Sequence, residues 1–406
     1  MDVEIRPIEP EEFEEWARTL EGAFGLRPTP EEIERERRVA EIDRCLAAFD
    51  GAEMVGCAGT STFRLTVPGG AARAAGVTAV GVKPTHRRRG INTALMRRQL
   101  DDVHAAGAEP LAILYASEGG IYGRYGYGLA SFMCEINIER ERSAFVRGYH
   151  PSGRVRLLER SEALAAFLPV YDRARRQRPG MIELEAAWFA HRLDETRHHG
   201  EERAYFYAGH ESEEGFDAYA VYHVKEKWTG AVPKSELVVE DLHAVTPAAY
   251  ADMWRYCFDI DLVERITAWN RPSDEPLLHL LQEPARLRLT FGDGLWARAV
   301  EVPAALEARR YAAEGRIVLE VHDAFCPWND GRYGLEGGPD GATCGPTDAE
   351  PDLVLTANDL GAAYLGGASF RQLHRAGRVE EERPGALGRA DAMFAWDPAP
   401  WCSFMF

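Results

Sequence analysis

The sequence is poor in positive charge and in long apolar runs. Its 406 residues contain 47 Lys and Arg against 65 Asp and Glu, which gives a formal net charge of −18 at pH 7. This balance argues against general nucleic-acid binding, which needs a basic face, and favours the approach of cationic molecules. No apolar run approaches the roughly 20 residues of a membrane-spanning helix. We interpret the acidic start, MDVEIRPIEPEEFEEWARTL, as neither a signal nor a transit peptide. From the charge balance and the lack of long apolar runs we expect neither a nucleic-acid nor a membrane partner.

Cysteine is sparse and scattered. The seven cysteines stand at positions 45, 57, 134, 257, 326, 344 and 402, and no CxxC pair occurs among them. An odd, dispersed set argues against a disulfide framework and against a zinc site, and it favours a cytoplasmic location. The adjacent His198 and His199 would diverge on a regular element, so we interpret them as surface histidines and predict no metal site.

The length of the chain predicts about two to four domains, and its composition, 46% hydrophobic and 28% charged, is that of a globular protein. Residues 1–145 predict an α/β domain, with a hairpin turn at Asp50-Gly51 and a helix over 91–106. Residues 146–285 repeat part of this α/β pattern of strands and helices. Their clearest strand–turn–helix, ELVVEDLHAV followed by TPAAYADMWRYCF, has no arginine or glycine in the turn and predicts no phosphate site. From about residue 286 the sequence pattern changes again, and this last part contains a glycine-rich stretch at 331–346.

The stretch VTAVGVKPTHRRRGINTALM, residues 77–96, differs from the acidic remainder of the chain. A strand ends at Val82, Pro84 stops it, and Gly90 allows a tight turn where a helix begins. The first amides of a helix lack intrahelical partners and can hold an anion, and arginine grips phosphate oxygens with two donors. The loop therefore predicts a pyrophosphate site. The alternative is that the arginines form only a solvated basic surface.

In this context the loop resembles the acetyl-CoA loop of the GCN5-related N-acetyltransferases (GNAT), which reads (Q/R)-x-x-G-x-(G/A) after a V-x-V-x-P strand. Arg87 and Gly90 match the pattern, whereas Asn92 stands where glycine or alanine is common. The strand VGVKP (80–84) also matches, and in that family its splayed backbone pairs with the pantetheine arm. The resemblance implies acetyl-CoA as co-substrate, with no metal. The implied contacts are Val80, Gly81, Val82, Arg87, Arg88, Arg89, Gly90, Ile91, Asn92, Thr93, Ser117 and Glu118.

The stretch SEGGIYGRYGYG (117–128) is similar to a short helix, roughly F-Y-x-x-x-G-F, that follows the fifth strand in that family. Its tyrosine commonly protonates the coenzyme A thiolate when the amine attacks the thioester, which makes Tyr122 the candidate general acid. Tyr125 and Tyr127 have the alternative interpretation of packing aromatics.

The chain closes on the apolar residues WCSFMF. An amine substrate is ammonium at neutral pH and must lose a proton before it attacks, so the α-carboxylate of Phe406 is a candidate base. The ordinary pKa of such a group, about 3.5, is low for this task, and burial beside Phe404 and Met405 would raise that pKa. The alternative is that the phenylalanines only anchor the tail in a core.

The whole chain resembles the Eis (enhanced intracellular survival) family of acetyltransferases. The agreeing stretches are VTAVGVKPTHRRRG, ASEGGIYGRYGYG, LWARAVEVPAALEARRY, FCPWNDGRYGLE and the closing phenylalanine. The resemblance implies an α/β and α+β fold of tandem GNAT domains, active in 1–145 and without the cofactor loop in 146–285, then a sterol-carrier-like domain over 286–406. It implies acetylation of aminoglycosides, polyamines or lysine side chains, with Tyr122 as acid and the Phe406 carboxylate as base, and assembly as homo-hexamers.

Two features leave the substrate open. Met405 stands where members of that family can carry an acidic residue that meets substrate ammonium groups. The segment FGLRPTPEEIERERR (24–38) is expected to help form the substrate mouth, and the alternative is a solvated amphipathic helix. The alternative function is a non-catalytic protein that holds an apolar ligand in its carrier-like domain.

Overall fold

The computed structural model describes residues 3–194 and 203–406, so His198 and His199 lie outside the described residues. The chain divides into two compact units. The first unit comprises Met1–Ser131, Leu295–Pro400 and Met405–Phe406, and the second comprises Phe132–Gly294 and Trp401–Phe404. No helix of the described residues is both long enough and apolar enough to cross a membrane.

The N-terminal part of the first unit mixes strands and helices, as predicted for an α/β domain. Its elements are β1 (Glu4–Pro7), α1 (Phe13–Ala23), α2 (Pro30–Arg37), β2 (Leu46–Asp50), β3 (Glu53–Val67), β4 (Gly70–Val82), α3 (Ile91–Ala106), β5 (Leu111–Tyr115), α4 (Gly119–Tyr122) and β6 (Gly128–Leu129). The predicted hairpin turn joins β2 to β3. Gly51 takes φ 63° there, in the left-handed region that glycine reaches without strain.

The helix α3 has the bounds that the sequence predicts, and its packing explains why. Ile91, Leu95, Leu100 and Val103 recur at helical spacing and are buried. Gly107 ends the helix in the left-handed conformation, with its N–H donating to carbonyls of the last turn. Burial of each such large aliphatic side chain contributes about 1.5–3 kcal/mol, so this face fixes α3 on the sheet.

The second unit is built around its own sheet. Its elements are β7 (Phe132–Glu139), β8 (Arg154–Leu158), α5 (Arg160–Arg175), α6 (Ala186–Arg192), β9 (Phe206–Ser212), β10 (Gly215–Lys225), β11 (Trp228–Thr229), β12 (Val232–Pro233), β13 (Ser235–Ala244), α7 (Pro247–Asp259), β14 (Val263–Pro272), α8 (Leu277–Leu280) and β15 (Arg288–Asp293). Seven strands pair in the order β15-β7-β14-β13-β10-β9-β8. Thr246 caps the start of α7, since its side chain accepts from the Ala249 N–H, and Pro247 opens the helix.

The tail segment Trp401–Phe404 belongs to this second unit. The Trp401 N–H donates to the Pro179 carbonyl at 2.9 Å, and its indole Nε1 donates to Asn270 Oδ1 at 2.9 Å. Asn270 Nδ2 in turn donates to the Cys402 carbonyl at 3.0 Å. The tail is therefore held by backbone and side-chain hydrogen bonds as well as by apolar burial.

The C-terminal part of the first unit adds β16 (Leu295–Ala299), α9 (Val302–Glu307), β17 (Gly315–His322), β18 (Gly331–Gly338), β19 (Gly341–Pro346), β20 (Leu353–Thr356), α10 (Ala357–Tyr364), α11 (Phe370–Arg375), β21 (Glu380–Glu381) and α12 (Ala386–Phe394). Five of these strands form a separate sheet in the order β19-β18-β17-β20-β21. The strand β16 instead enters the N-terminal sheet, whose order is β1-β2-β3-β4-β5-β16-β6.

The chain passes from one sheet to another at residues other than the predicted domain limits of 145 and 285. The strand β7, within the predicted first domain, pairs with β14 and β15 of the second sheet. β15, within the predicted third domain, also lies in the second sheet, and β16 pairs with β5 and β6. The physical reason is that local sequence signals indicate strands but not their partners.

The cysteines lie in the interior. Six of the seven are buried and Cys344 is partly buried, and the described residues form no disulfide. Burial raises the pKa of the thiols of Cys45, Cys57, Cys134, Cys257, Cys326 and Cys344 to about 12.

Candidate active site

The strands β4 and β5 pair in parallel over a short stretch and then separate. Their pairing covers residues 74–76 of β4 and 111–113 of β5, although β4 continues to Val82 and β5 to Tyr115. The pairing of β4 with β3 is also irregular near Ala79, whose φ of 53° lies in the left-handed region. Beyond residue 76, the edge of β4 that faces β5 has no strand partner among the described residues. An extended ligand can therefore pair with this edge.

The start of α3 faces the opening between these strands. Gly90 is the N-cap, with φ 84°, and the preceding Arg88 also has a positive φ of 61°. In α3, all of whose residues are described, no side chain caps the first turn and no acidic residue lies in it. The amides of the first turn and the positive end of the helix dipole are therefore available to an anion.

A cavity of about 810 Å³ lies at this helix start. Of the predicted acetyl-CoA contacts, its lining includes Val80, Gly81, Val82, Arg87, Arg88, Gly90, Ile91, Asn92, Thr93, Ser117 and Glu118. Arg89 does not line the cavity. The structure thus brings together the ends of β4 and β5, the arginine loop and the first turn of α3.

The arginines of the loop are placed differently. Arg87 donates from Nη2 to the Ala23 carbonyl and from Nε to the Val82 carbonyl, the latter at 3.3 Å. It joins the end of α1 to the end of β4. Within residues 3–194 and 203–406, the Arg88 guanidinium makes neither a hydrogen bond nor an ion pair, and it lines the cavity. Arg88 is therefore the arginine best suited to contact a bound anion directly.

Tyr122 lies in α4 and lines the same cavity with only 7% of its surface exposed. Burial raises the pKa of its hydroxyl to about 12, with a smaller contribution from Tyr125. The phenol is therefore protonated at neutral pH, as a proton donor must be.

Tyr125 also lines the cavity, and its hydroxyl lies beside the first turn of α3. Its oxygen is 3.2 Å from Thr93 Oγ1, and it accepts from Asn92 Nδ2 at 3.3 Å. This contact gives a structural role to Asn92, which departs from the GNAT pattern.

Tyr127 is completely buried and does not line the cavity. Its ring packs against that of Tyr122 with centroids 6.4 Å apart. In the part of the chain that the structure describes, its hydroxyl has no hydrogen-bond partner. Tyr127 is therefore placed as a packing aromatic.

Phe406 lies at the same pair of strands but does not line the cavity. Its ring centroid is 4.7 Å from that of Phe63 on β3 and 5.8 Å from that of Tyr115 on β5. A Cβ added to Gly76 would lie 3.1 Å from this ring. The neighbours Ala75 and Val77 face the other way, into the core that contains Tyr122. Phe406 and Tyr122 thus lie on opposite faces of the sheet, beside the point where β4 and β5 separate.

Several lining residues were not identified from the sequence. They are Ala23, Phe24, His86, Ile121, Arg124 and Tyr125. Phe24 is 56% exposed and begins the segment predicted as the substrate mouth. In the rest of that segment, α2 buries only Ile33, and a capping box of Thr29 and Glu32 starts the helix. No local pattern marks Ala23 or Phe24, because they reach the cavity through the position of α1.

The cavity matches the chemistry of acetyl-CoA part by part. The α3 amides and Arg88 suit a pyrophosphate, and the free edge of β4 suits the amides of a pantetheine arm. A Cβ added to Gly90 would meet nothing within 4 Å, so this turn is open to a ligand. Among the described residues, no group of three or more His, Cys, Asp or Glu side chains is arranged to hold a metal ion.

Three known domain families match the chain. An acetyltransferase (GNAT) domain matches residues 4–130, and a second acetyltransferase (GNAT) domain matches residues 180–299. A sterol carrier protein domain matches residues 302–403.

Full-length relatives agree with this order. An uncharacterized N-acetyltransferase of Streptomyces avermitilis is 44% identical over 409 residues, which cover 99% of each chain. The N-acetyltransferase Eis of Mycobacterium tuberculosis is 36% identical over 394 residues, or 93% of each chain.

Solved structures are similar over the whole length. The crystal structure of Eis1 from Mycobacterium abscessus has a TM-score of 0.87 at 32% identity, covering 99% of this chain and 100% of that one. A GCN5-related N-acetyltransferase from Anabaena variabilis has a TM-score of 0.87 at 20% identity, covering 100% of both chains, and that likeness concerns the fold alone.

Proposed function

Because this chain belongs to the Eis N-acetyltransferases, with two GNAT domains followed by a sterol-carrier-like domain, we propose that it acetylates amines of aminoglycoside or polyamine type, or lysine side chains. Acetyltransferases of the GNAT class use acetyl-CoA. The observation that carries the proposal is the cavity at the start of α3, which joins the phosphate-binding turn, the free edge of β4 and Tyr122.

Acetyl-CoA binds with its pyrophosphate at the first turn of α3. The amides of Ile91, Asn92 and Thr93 and the guanidinium of Arg88 supply the donors. The pantetheine amides pair with Val80–Val82, and the thioester is directed between β4 and β5. This orientation carries the acetyl group towards both Tyr122 and Phe406.

The transfer then needs two protons removed from the ammonium nitrogen, one before and one after the attack, and one proton supplied to the leaving thiolate. The α-carboxylate of Phe406 takes a proton from the substrate ammonium, and the free amine attacks the acetyl carbon. The N–C bond forms, and collapse of the tetrahedral intermediate breaks the C–S bond. The leaving thiolate takes the hydroxyl proton of Tyr122, and the second proton that the nitrogen loses on becoming an amide restores the Tyr122 hydroxyl. Support for this division of roles comes from the positions of Tyr122 and Phe406 on opposite faces of the sheet.

The excess of acidic over basic residues supports a cationic substrate, because a net charge of −18 attracts polyamines. The proposal also includes a cytoplasmic location and assembly as a homo-hexamer. Light scattering of the purified protein tests the assembly, and a stable monomer would contradict it.

The function is tested with acetyl-CoA and a panel of aminoglycosides, polyamines and lysine peptides. Thiol release reports turnover, and mass spectrometry counts the acetyl groups on each product. We expect amine-dependent thiol release with several members of the panel. Binding of a fatty acid or sterol, without thiol release for any amine, would instead favour the non-catalytic carrier.

A further inference from the structure

The turn that follows Tyr122 is held by side chains from a distant part of the first unit. Residues 123–125 form a single 3-10 turn after α4, and Gly126 then takes φ 83°. Such a short turn makes few hydrogen bonds of its own. The backbone carbonyls of residues 123, 125 and 127 each accept from a side chain more than 170 positions away in the sequence.

Asn358, in the first turn of α10, supplies two of these hydrogen bonds. Its Nδ2 donates to the Gly123 carbonyl at 2.6 Å and to the Tyr127 carbonyl at 2.9 Å. One amide group thereby joins both ends of the turn. A displacement of Asn358 would displace the backbone on both sides of Tyr125.

Arg298, on β16, supplies the third hydrogen bond, from Nη1 to the Tyr125 carbonyl. Its guanidinium is fully buried and forms an ion pair with Asp323. Oδ1 of Asp323 accepts from the Phe325 and Cys326 amides at 3.2 and 2.8 Å. The donor is thus fixed by a second buried group that is itself hydrogen-bonded to its own loop.

The helix α10 has little freedom to move against this turn. A Cβ added to Gly128 would lie 1.8 Å from the Asn358 carbonyl oxygen, and one added to Gly361 would lie 2.1 Å from that of Ala297. Backbones in such close contact require glycine and leave no gap for sliding. The aromatic ring of Phe325 also packs on that of Tyr125, with centroids 4.9 Å apart.

We propose that Asn358 and Arg298 are positioning residues of the acetyl transfer, which hold the turn at residues 123–127 so that the Tyr122 hydroxyl reaches the leaving sulfur. Neither residue lines the cavity. Asn358 lies in the part of the chain that matches the sterol carrier domain, and through this residue that part supports the acetyltransferase site. The inference rests on the proposed role of Tyr122 as general acid.

The test uses Asn358→Leu, which keeps a similar shape and removes both donors. A misplacement of about 1 Å in a reacting group can lower a rate about 100-fold. We therefore expect kcat to fall at least about tenfold, with the acetyl-CoA dissociation constant within about twofold of the unmodified protein. The matched control is Thr356→Val. The Thr356 hydroxyl donates to Asp359 at the start of the same helix, so its loss weakens α10 without touching the turn. Equal loss of kcat in both variants, at equal melting temperatures, would overturn the proposal.

A double-mutant cycle with Tyr122→Phe separates this inference from the proposed function. If Asn358 acts through Tyr122, Asn358→Leu lowers kcat in the unmodified protein and has little effect in the Tyr122→Phe background. An equal fold-loss in both backgrounds overturns the positioning role while leaving Tyr122 as the acid. Full activity of Tyr122→Phe alone refutes the acid assignment itself, and the inference falls with it.

Discussion

At the scale of single residues, three consecutive arginines have three different environments. Arg87 is hydrogen-bonded to two backbone carbonyls, Arg88 lines the cavity, and Arg89 does not line it. The sequence RRRG could not distinguish them, since a strand–loop–helix pattern places the loop but not the direction of each side chain. The same limit applies to Tyr125, whose contact with Thr93 depends on how the turn after α4 packs on α3.

We expect Arg88→Ala to weaken acetyl-CoA binding about tenfold or more. A charge-assisted hydrogen bond contributes about 1.5–3 kcal/mol, which supports an effect of this size. Calorimetric titration measures the dissociation constant, and Arg89→Ala, which removes the same charge, is the matched control. We expect less than about threefold weakening in the control. If Arg88→Ala and Arg89→Ala weakened acetyl-CoA binding equally, the loop would act only through its net charge.

We expect Tyr122→Phe to lower kcat about 10²- to 10⁴-fold with little change in substrate KM, because general-acid catalysis contributes this much in the transition state. Since burial raises the pKa of Tyr122 to about 12, its deprotonation should cause no loss of rate near pH 10, the ordinary pKa of tyrosine. Steady-state kinetics across pH measure both effects.

The control for this variant is Tyr127→Phe. Its hydroxyl is buried and unpartnered within the described residues, so its removal should preserve kcat and raise the melting temperature. A severe loss of kcat in Tyr127→Phe, with Tyr122→Phe active, would show that the general acid is Tyr127 and not Tyr122.

At the scale of elements, α3 shows what a sequence can specify. Its predicted bounds, 91–106, are confirmed because both ends carry glycines in the left-handed region and one face is apolar. The partners of β7, β15 and β16 could not be predicted from the sequence, since these strands pair with strands far away in the chain, and the domain limits at 145 and 285 stay predictions. The contacts of Asn358 with the turn at 123–127 could not be predicted from the sequence either, because the two segments are far apart in the chain.

The glycines at the two ends of α3 permit a paired test of the proposed phosphate-binding turn. Gly90 and Gly107 cap opposite ends of the helix at φ 84° and 63°, and an added Cβ at either position would meet nothing within 4 Å. Gly90→Val and Gly107→Val should therefore lose similar stability, about 1–2 kcal/mol from backbone strain. We expect only Gly90→Val to weaken acetyl-CoA binding, as measured by titration beside thermal unfolding. If Gly107→Val weakened acetyl-CoA binding to a similar extent, general destabilisation of α3 would explain the weaker binding of both variants.

At the scale of the whole molecule, the last six residues are shared between the two units. Trp401–Phe404 belong to the second unit and Met405–Phe406 to the first. The hydrogen bonds of Trp401 and Cys402 anchor this tail, and the ring of Phe406 packs on Phe63. An aromatic terminus could be read from the sequence. Its place beside the separated strands could not, because it depends on the fold of the entire chain.

We expect one glycine added after Phe406 to abolish most of the turnover, because it converts the terminal carboxylate into an amide and moves the charge about one residue, or ~3.5 Å. Acetyl-CoA binding should persist. Phe406→Leu, which keeps a carboxylate at the same position, is the control and should retain most of kcat. Equal turnover of the extended and native chains, matched in melting temperature and assembly, would exclude the terminal carboxylate as the base.

The buried cysteines have a practical consequence for finding the natural amine. Colorimetric disulfide dyes react with thiolates, and coenzyme A should titrate near the ordinary thiol value of about 8.5. The six thiols whose pKa is raised to about 12 are only about 0.01% thiolate at pH 8, and burial further shields all of them except the partly buried Cys344 from the dye. The folded enzyme should therefore contribute little background colour even at high concentration. Poor substrates, which demand much enzyme and long incubation, can be ranked by a simple absorbance reading.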